Sequence, residues 1–153
     1  MALASEVSQE VWIGAGKIGG DVKTVTEYAI GYERMHELES DMLLGYDASI
    51  KYARMKEKEE ERTLKVDEWA FDFEGLYGMA LSHDVHLLGV GGLRLGNTDG
   101  STTIYGLGVG AEVQYFIEKN WVVSADYMRH FMKSDDDAYY QTNTFMLKFG
   151  YEF

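Results

Sequence analysis

Fifteen consecutive residues, TIYGLGVGAEVQYFI from Thr103 to Ile117, set the terms for any fold of this chain. Tyr105, Leu107, Val109, Ala111, Val113, Tyr115 and Ile117 recur at every second position. Ile104, Gly106, Gly108, Gly110, Glu112, Gln114 and Phe116 fill the places between them. A period of two is a strand, because successive side chains on extended backbone point to opposite faces. Fifteen residues is also longer than most strands of globular proteins.

The scheme repeats along the chain. MLLGYDASIKYAR sets Met42, Leu44, Tyr46, Ala48, Ile50 and Tyr52 against Gly45, Asp47, Ser49 and Lys51. WAFDFEGLYGMAL sets Trp69, Phe71, Phe73, Tyr77, Met79 and Leu81 against Asp72, Glu74, Gly78 and Ala80. EYAIGYER sets Tyr28, Ile30 and Tyr32 against Glu27, Ala29, Gly31 and Glu33, and WVVSADYM sets Trp121, Val123, Ala125 and Tyr127 against Ser124 and Asp126. VWIGAGKIGG and HLLGVGGLRLG are too rich in glycine for their faces to separate. Placing Lys17 and Arg94 on the polar face fixes their parity by consistency with the others.

Eight strands result, over about 10–25, 24–36, 41–56, 63–81, 85–96, 102–117, 121–133 and 139–153. HELES, SHD and EKN make short connections, while GGDVK, KEKEEERTLKVD, GNTDGS and KSDDDAYY are mostly longer and more polar. An even strand number with short turns at one end and longer loops at the other is an up-and-down meander that closes on itself.

Which face lies inside follows from volume. The interior of an eight-stranded barrel is only just wide enough for side chains to fill. Tyr46, Phe71, Phe73, Tyr105, Trp121 and Tyr127 lie on the apolar face, too many large rings for that space. Glycine, small polar residues and a few paired ions do fit. The aromatic face therefore points outward, into lipid. Inward-facing Lys17, Lys51, Arg94 and Lys148 are available to pair Glu27, Asp47, Asp72, Glu74, Glu112 and Asp126. Acids outnumber bases on this face, so some must sit near solvent or be neutral, since an unpaired buried carboxylate is costly. Closure is obligatory, because an open sheet edge cannot persist in hydrocarbon. The fold class expected is all-β, an eight-stranded antiparallel up-and-down transmembrane β-barrel.

Composition removes other classes. The net charge of −12 leaves no basic patch for phosphate contacts, so nucleic acid is excluded as a partner. The absence of cysteine excludes a disulfide framework and thiolate metal sites. No stretch comes near the roughly 18 apolar residues of a spanning helix, whereas a spanning strand needs only about 9–11. Ala2-Leu3-Ala4 before Ser5 has the small-residue arrangement of a signal-peptidase site, so residues 1–9 are expected to be an export-signal remnant or flexible N-terminus and 10–153 the barrel.

The last strand, TFMLKFGYEF, alternates Phe145, Leu147, Phe149, Tyr151 and the terminal Phe153 with polar or small residues. It resembles the assembly signal of bacterial outer-membrane barrels. GLGVGAEVQYFIEKNWVVSADYMRHF resembles the sixth and seventh strands of the small OmpA-type and NspA/OmpX-like barrels. That likeness is one of pattern over the whole chain more than of residue identity. It implies the outer membrane of a Gram-negative bacterium, a signal peptide, and partners in outer-membrane lipid, lipopolysaccharide and the barrel-assembly machinery. The chain is expected to be a monomer without cofactor.

Its function is expected to be that of a structural or interaction protein with surface loops around a lumen filled by salt bridges. A narrow porin-like channel is the alternative. Lipid hydrolysis, known among small outer-membrane barrels, would need a Ser–His–acid set on the outer surface. RHFMKS offers His130 and Ser134, but Met132 stands where that family's His-x-Ser spacing requires serine, and His36 and His83 fall in the short turns. Asp135, Asp136 and Asp137 could gather a hard cation, though without the spacing of a calcium loop, and no metal site is expected. Arg54 and Arg129 share parity with the outward Tyr52 and Tyr127, and as cations at the outer interface they are expected either to meet lipopolysaccharide phosphate or to snorkel to water.

Overall fold

The computed structural model describes residues 6–20, 25–56, 65–98, 102–118, 120–134 and 139–153. Eight strands account for nearly all of them: β1 (Glu6–Gly20), β2 (Val25–Glu37), β3 (Met42–Lys56), β4 (Lys65–Ala80), β5 (Val85–Thr98), β6 (Thr102–Phe116), β7 (Trp121–Ser134) and β8 (Tyr139–Glu152). Each pairs antiparallel with its sequence neighbours, and β8 pairs with β1, so the sheet is a closed barrel in up-and-down order.

Register fixes the geometry. Cross-strand partners traced from Glu10 on β1 run through Glu33, Asp47, Glu74, Gly92, Gly108, His130 and Thr142, and return to β1 at Gly20. One circuit therefore climbs β1 by 20 − 10 = 10 residues. A stagger of that size in an eight-stranded barrel tilts the strands by roughly 40°. The same trace follows the lumen wall, so it also orders the inward side chains by height.

Facing follows the alternation. Leu107 is 60% exposed and Ile104, three residues earlier, only 1%. Phe71, Phe73, Tyr105, Trp121 and Tyr127 are exposed, and Tyr46, half-covered by its stack on Phe73 at 5.9 Å, shares their face. Phe145, Leu147, Phe149, Tyr151 and Phe153 likewise point outward. The buried set instead holds Lys51, Arg94, Lys148 and the inward carboxylates. This is the reverse of a soluble barrel, and it is stable only where the medium outside is apolar.

Two expectations need correction. Lys17 is outside: its side chain is exposed and donates to the Thr26 hydroxyl at 2.8 Å. Its parity on β1 is that of Val11 and Ile13, and the inward positions are Trp12, Gly14, Gly16 and Ile18. Near the end of a strand a cation reaches the interface with little penalty, so charge alone does not send Lys17 inward. Trp12 is the converse case, an aromatic in the lumen that contradicts a wholly outward aromatic set. It fits because its register partner is Gly31, where an added Cβ would strike the indole ring.

Boundaries differ too. β1 begins at Glu6, which pairs with Glu37, so residues 6–9 belong to the barrel. Residues 1–5 lie outside the described part. The strands extend into the segments read as long loops, leaving only 21–24, 57–64, 99–101 and 135–138 between them at the end away from the termini. Those segments, with Asp135, Asp136 and Asp137, lie outside the described residues. His36 stands within β2 rather than in a turn.

Candidate functional site: the charged lumen

Alternation turns Glu27, Lys51, Asp72 and Arg94 inward on β2, β3, β4 and β5, where the climb of the register brings them to one level. Asp72 is the centre of this upper layer. Arg94 grips it through Nε at 2.7 Å and Nη2 at 2.8 Å, one bond to each carboxylate oxygen. This bidentate geometry is the strongest pairing available to a carboxylate. Lys51 Nζ lies 2.9 Å from Asp72 and 3.7 Å from Glu74. Arg94 Nη1 lies 3.5 Å from Glu27, and His130 Nε2 is 4.0 Å from Asp72.

Lys148 on β8 organises the lower layer. Its Nζ contacts Glu112 at 2.6 Å and Asp126 at 3.0 Å, and sits 4.3 Å over the Trp12 ring. The Trp12 indole N–H donates to Asp47 at 2.7 Å. Gln114 Nε2 donates to both oxygens of Glu33, at 3.0 and 2.9 Å, and to Glu112 at 2.8 Å. A cation held over an indole in a desolvated site gains further attraction from the ring.

One feature of the wall is unusual. Glu10, Glu33, Asp47 and Glu74 are consecutive cross-strand partners on β1 to β4. Like charges directly opposite one another oppose pairing, so the line depends on donors from other inward side chains, Trp12 on β1 to Asp47 and Gln114 on β6, across the lumen, to Glu33. The buried described residues include eight carboxylates (Glu10, Glu27, Glu33, Asp47, Asp72, Glu74, Glu112, Asp126) and three obligate cations (Lys51, Arg94, Lys148). The lumen is therefore acidic in composition.

Apolar residues complete the filling. Met35, Leu43, Leu76, Leu88, Val90 and Met128 form a cluster against one side of the lower lumen. Ile18, Ala53, Ile104 and Met132, near the far strand ends, are buried above the upper layer. Below, at the end of the chain termini, a mouth of about 660 Å³ is lined by Glu37, Asp41, His83, Asp84, His86 and Glu118 among others. Among the described residues no group of three or more His, Asp or Glu side chains is placed to hold a metal ion.

Nine of the ten residues assigned to the lumen from the sequence are brought together there: Lys51, Arg94, Lys148, Glu27, Asp47, Asp72, Glu74, Glu112 and Asp126. Lys17 is not. Trp12, Glu10, Glu33, Gln114 and His130 were missing from that assignment. For Glu33, Gln114 and His130 the signal was present, since alternation from Glu27, Glu112 and Asp126 puts each of them inward. His130 is 2% exposed inside the lumen, so the wall separates it from lipid and it cannot serve a hydrolase site on the outer surface. Arg54 and Arg129 stand on β3 and β7, on opposite sides of the barrel, and cannot share a head group. The Arg54 side chain lies outside the described part, while Arg129 is on the outer face.

A closed eight-stranded meander with an aromatic exterior and ion pairs within is a transmembrane β-barrel of the outer-membrane class. The chain belongs to the family described as "Outer membrane protein beta-barrel domain", which it matches over residues 4–153. Among curated proteins no sequence matches it. Similar solved structures include Neisserial surface protein A, with 14% identity, TM-score 0.65, and 100% and 99% of the two chains covered. The attachment invasion locus protein Ail of Yersinia pestis has 21% identity and TM-score 0.60 over 99% and 100%. A major outer membrane protein of Thermus thermophilus has 16% identity and TM-score 0.61 over 97% and 100%. At such identities the likeness is one of fold. The chain's place is the bacterial outer membrane.

Proposed function

We propose that this barrel is a structural and interaction protein, not a conduit: a plugged anchor that holds its strand ends and connections at the cell surface. The observation that carries this reading is the filling of the lumen. Trp12, Lys51 and Arg94 are each 2% exposed and Lys148 is 5%, and their contacts tie all the strands together across the bore. Eight-stranded barrels have little room to spare, and here two ionic layers and an apolar side cluster occupy it. The connection with most charge in the sequence, EKEEERTL at 57–64, belongs to the surface end and is the first candidate for contact with a partner.

A narrow cation path is the second reading. The excess of lumen carboxylates and the acidic mouth favour it, because acid-lined constrictions select cations. A planar-bilayer recording separates the two. The plugged anchor gives no resolved steps in potassium chloride, and Trp12→Ala combined with Arg94→Ala raises conductance by removing the two bulkiest fillers. Discrete cation-selective steps from the unaltered protein would reject the anchor and favour the path.

A further inference from the structure

Two carboxyl groups meet at the floor of the lumen, and their contact requires a proton. Glu10 on β1 and Glu33 on β2 are cross-strand partners, each 4% exposed, with side chains within hydrogen-bonding reach of one another. An ionised carboxylate only accepts hydrogen bonds, so two of them cannot bond, whereas a protonated carboxyl donates to its neighbour. The far wall decides which is which. Gln114 Nε2 donates to both oxygens of Glu33, at 3.0 and 2.9 Å, which makes Glu33 the acceptor and leaves Glu10 to carry the proton.

The charges that face the pair do not replace that proton. Asp47 on β3 and Glu112 on β6 are acids, and so is Glu152 on β8, the register partner of Glu10. Glu74 on β4 continues the acidic line beyond Asp47. Lys148 on β8 acts on the pair but is bound to Glu112 at 2.6 Å and to Asp126 on β7 at 3.0 Å. From β5, His86 bonds the Gln114 side chain. A proton is the occupant that direct contact admits, because a metal ion would lie between the oxygens and hold them apart. It also has a way in. Ser8, Met35 and Phe116 line the mouth, and Glu10, Glu33 and Gln114 are the next inward positions on the same three strands.

We infer that Glu10 and Glu33 hold one proton between them at neutral pH, Glu10 donating and Glu33 accepting, as a latch between β1 and β2 that alkali opens through the mouth. Loss of the proton to water leaves two carboxylates in contact, and their repulsion opposes the pairing of the two strands. The sign follows from linkage. The folded pair keeps a proton that an unfolded glutamate gives up near about pH 4.3, so stability falls as the pH rises between those two titrations. The latch is the same whether or not the lumen passes ions.

The test is urea unfolding of the whole barrel in phosphatidylcholine vesicles from about pH 6 to about pH 9, with infrared absorption of the protonated carboxyl read at neutral pH. Glu10→Gln puts a permanent N–H donor where the proton sits. Until the pair opens, the unfolding constant of the unaltered protein rises more steeply with pH than that of Glu10→Gln, by about tenfold per pH unit, the value for one proton. The infrared absorption of the protonated carboxyl falls in Glu10→Gln. Glu118→Gln alters an exposed carboxylate of the mouth and changes neither reading. Glu33→Gln removes the same proton from the other side and carries the same expectations, should Glu10→Gln fail to fold. Equal slopes in the unaltered and Glu10→Gln proteins overturn the latch, as does an unaltered protein without protonated-carboxyl absorption at neutral pH. Stabilisation by sodium over choline at fixed pH, abolished in Glu10→Gln, would put a metal cation in the pair and equally overturn it.

Discussion

Replacing Lys148 with methionine keeps the length and much of the volume of the side chain and removes only the charge. Glu112 and Asp126 then lose the cation at 2.6 and 3.0 Å, and Trp12 loses the ammonium over its ring. Both carboxylates are nearly inaccessible, at 1% and 3%. Glu112 keeps the Gln114 amide, but Asp126 has an oxygen with no partner even in the native barrel. Removing one member of a buried ion pair costs about 3–5 kcal/mol, because the remaining charge is left without compensation. With two carboxylates and one shared cation the upper part of that range is expected. The assay is urea unfolding of the barrel in phospholipid vesicles, followed by heat-dependent gel mobility. Adding Glu112→Gln and Asp126→Asn to Lys148→Met removes the orphaned charges and should recover most of the loss, a strong coupling between contacting sites. A loss below about 1 kcal/mol, or a triply substituted protein no more stable than Lys148→Met, refutes the view that this cation holds the lower layer together.

Other expectations follow from the walls and ends. Ile50→Arg puts a cation on the lipid face between the outward Ile30 and Phe71 and should cost about 2–4 kcal/mol; tolerance equal to that of a surface connection contradicts the outward facing of β3. Gly31→Ala drives a methyl group into the Trp12 indole, an overpacking penalty of about 1–3 kcal/mol, and Trp12→Leu in the same chain should relieve it; no relief means the clash is not the cause. If the assembly machinery reads Phe153, whose backbone N–H donates to the Gln9 carbonyl at 2.8 Å, as a signal, deleting it should impair membrane assembly in cells more than refolding in vitro. Normal assembly of the deletion rejects that role.

The strand count, the antiparallel order and the facing of six strands were legible because β-barrels in lipid keep a period of two with large side chains outside. Tyr105 to Ile117 and Met42 to Tyr52 carry that pattern without a break. β1 was harder. Its glycines serve as space for Trp12 and for Met146, so its large residues split between both faces and alternation by size fails. Lys17 was misplaced because charge marks a lumen residue only at mid-depth, and a strand-end cation is free to point either way. The pairing within the lumen was not legible at all. That Lys148 meets Glu112 and Asp126 while Lys51 and Arg94 share Asp72 depends on the ten-residue stagger, which no single strand encodes. β1 begins four residues earlier than the sequence indicates, and β5 and β7 run two residues and one residue further, since polar residues that look like loop continue the ladder.

The three tryptophans test the inside-out arrangement most directly, because they sample both faces: Trp69 and Trp121 are 56% and 41% exposed on the lipid side, and Trp12 is 2% exposed in the lumen. Three single-tryptophan proteins, the others replaced by phenylalanine, are folded into vesicles of lipid brominated near the head of the acyl chain, and the fluorescence is compared with that in unbrominated lipid. The structure predicts strong quenching of Trp69 and Trp121 and nearly none of Trp12. Quenching of Trp12 as strong as theirs, or emission from Trp69 and Trp121 indifferent to bromine, would contradict the account at its foundation.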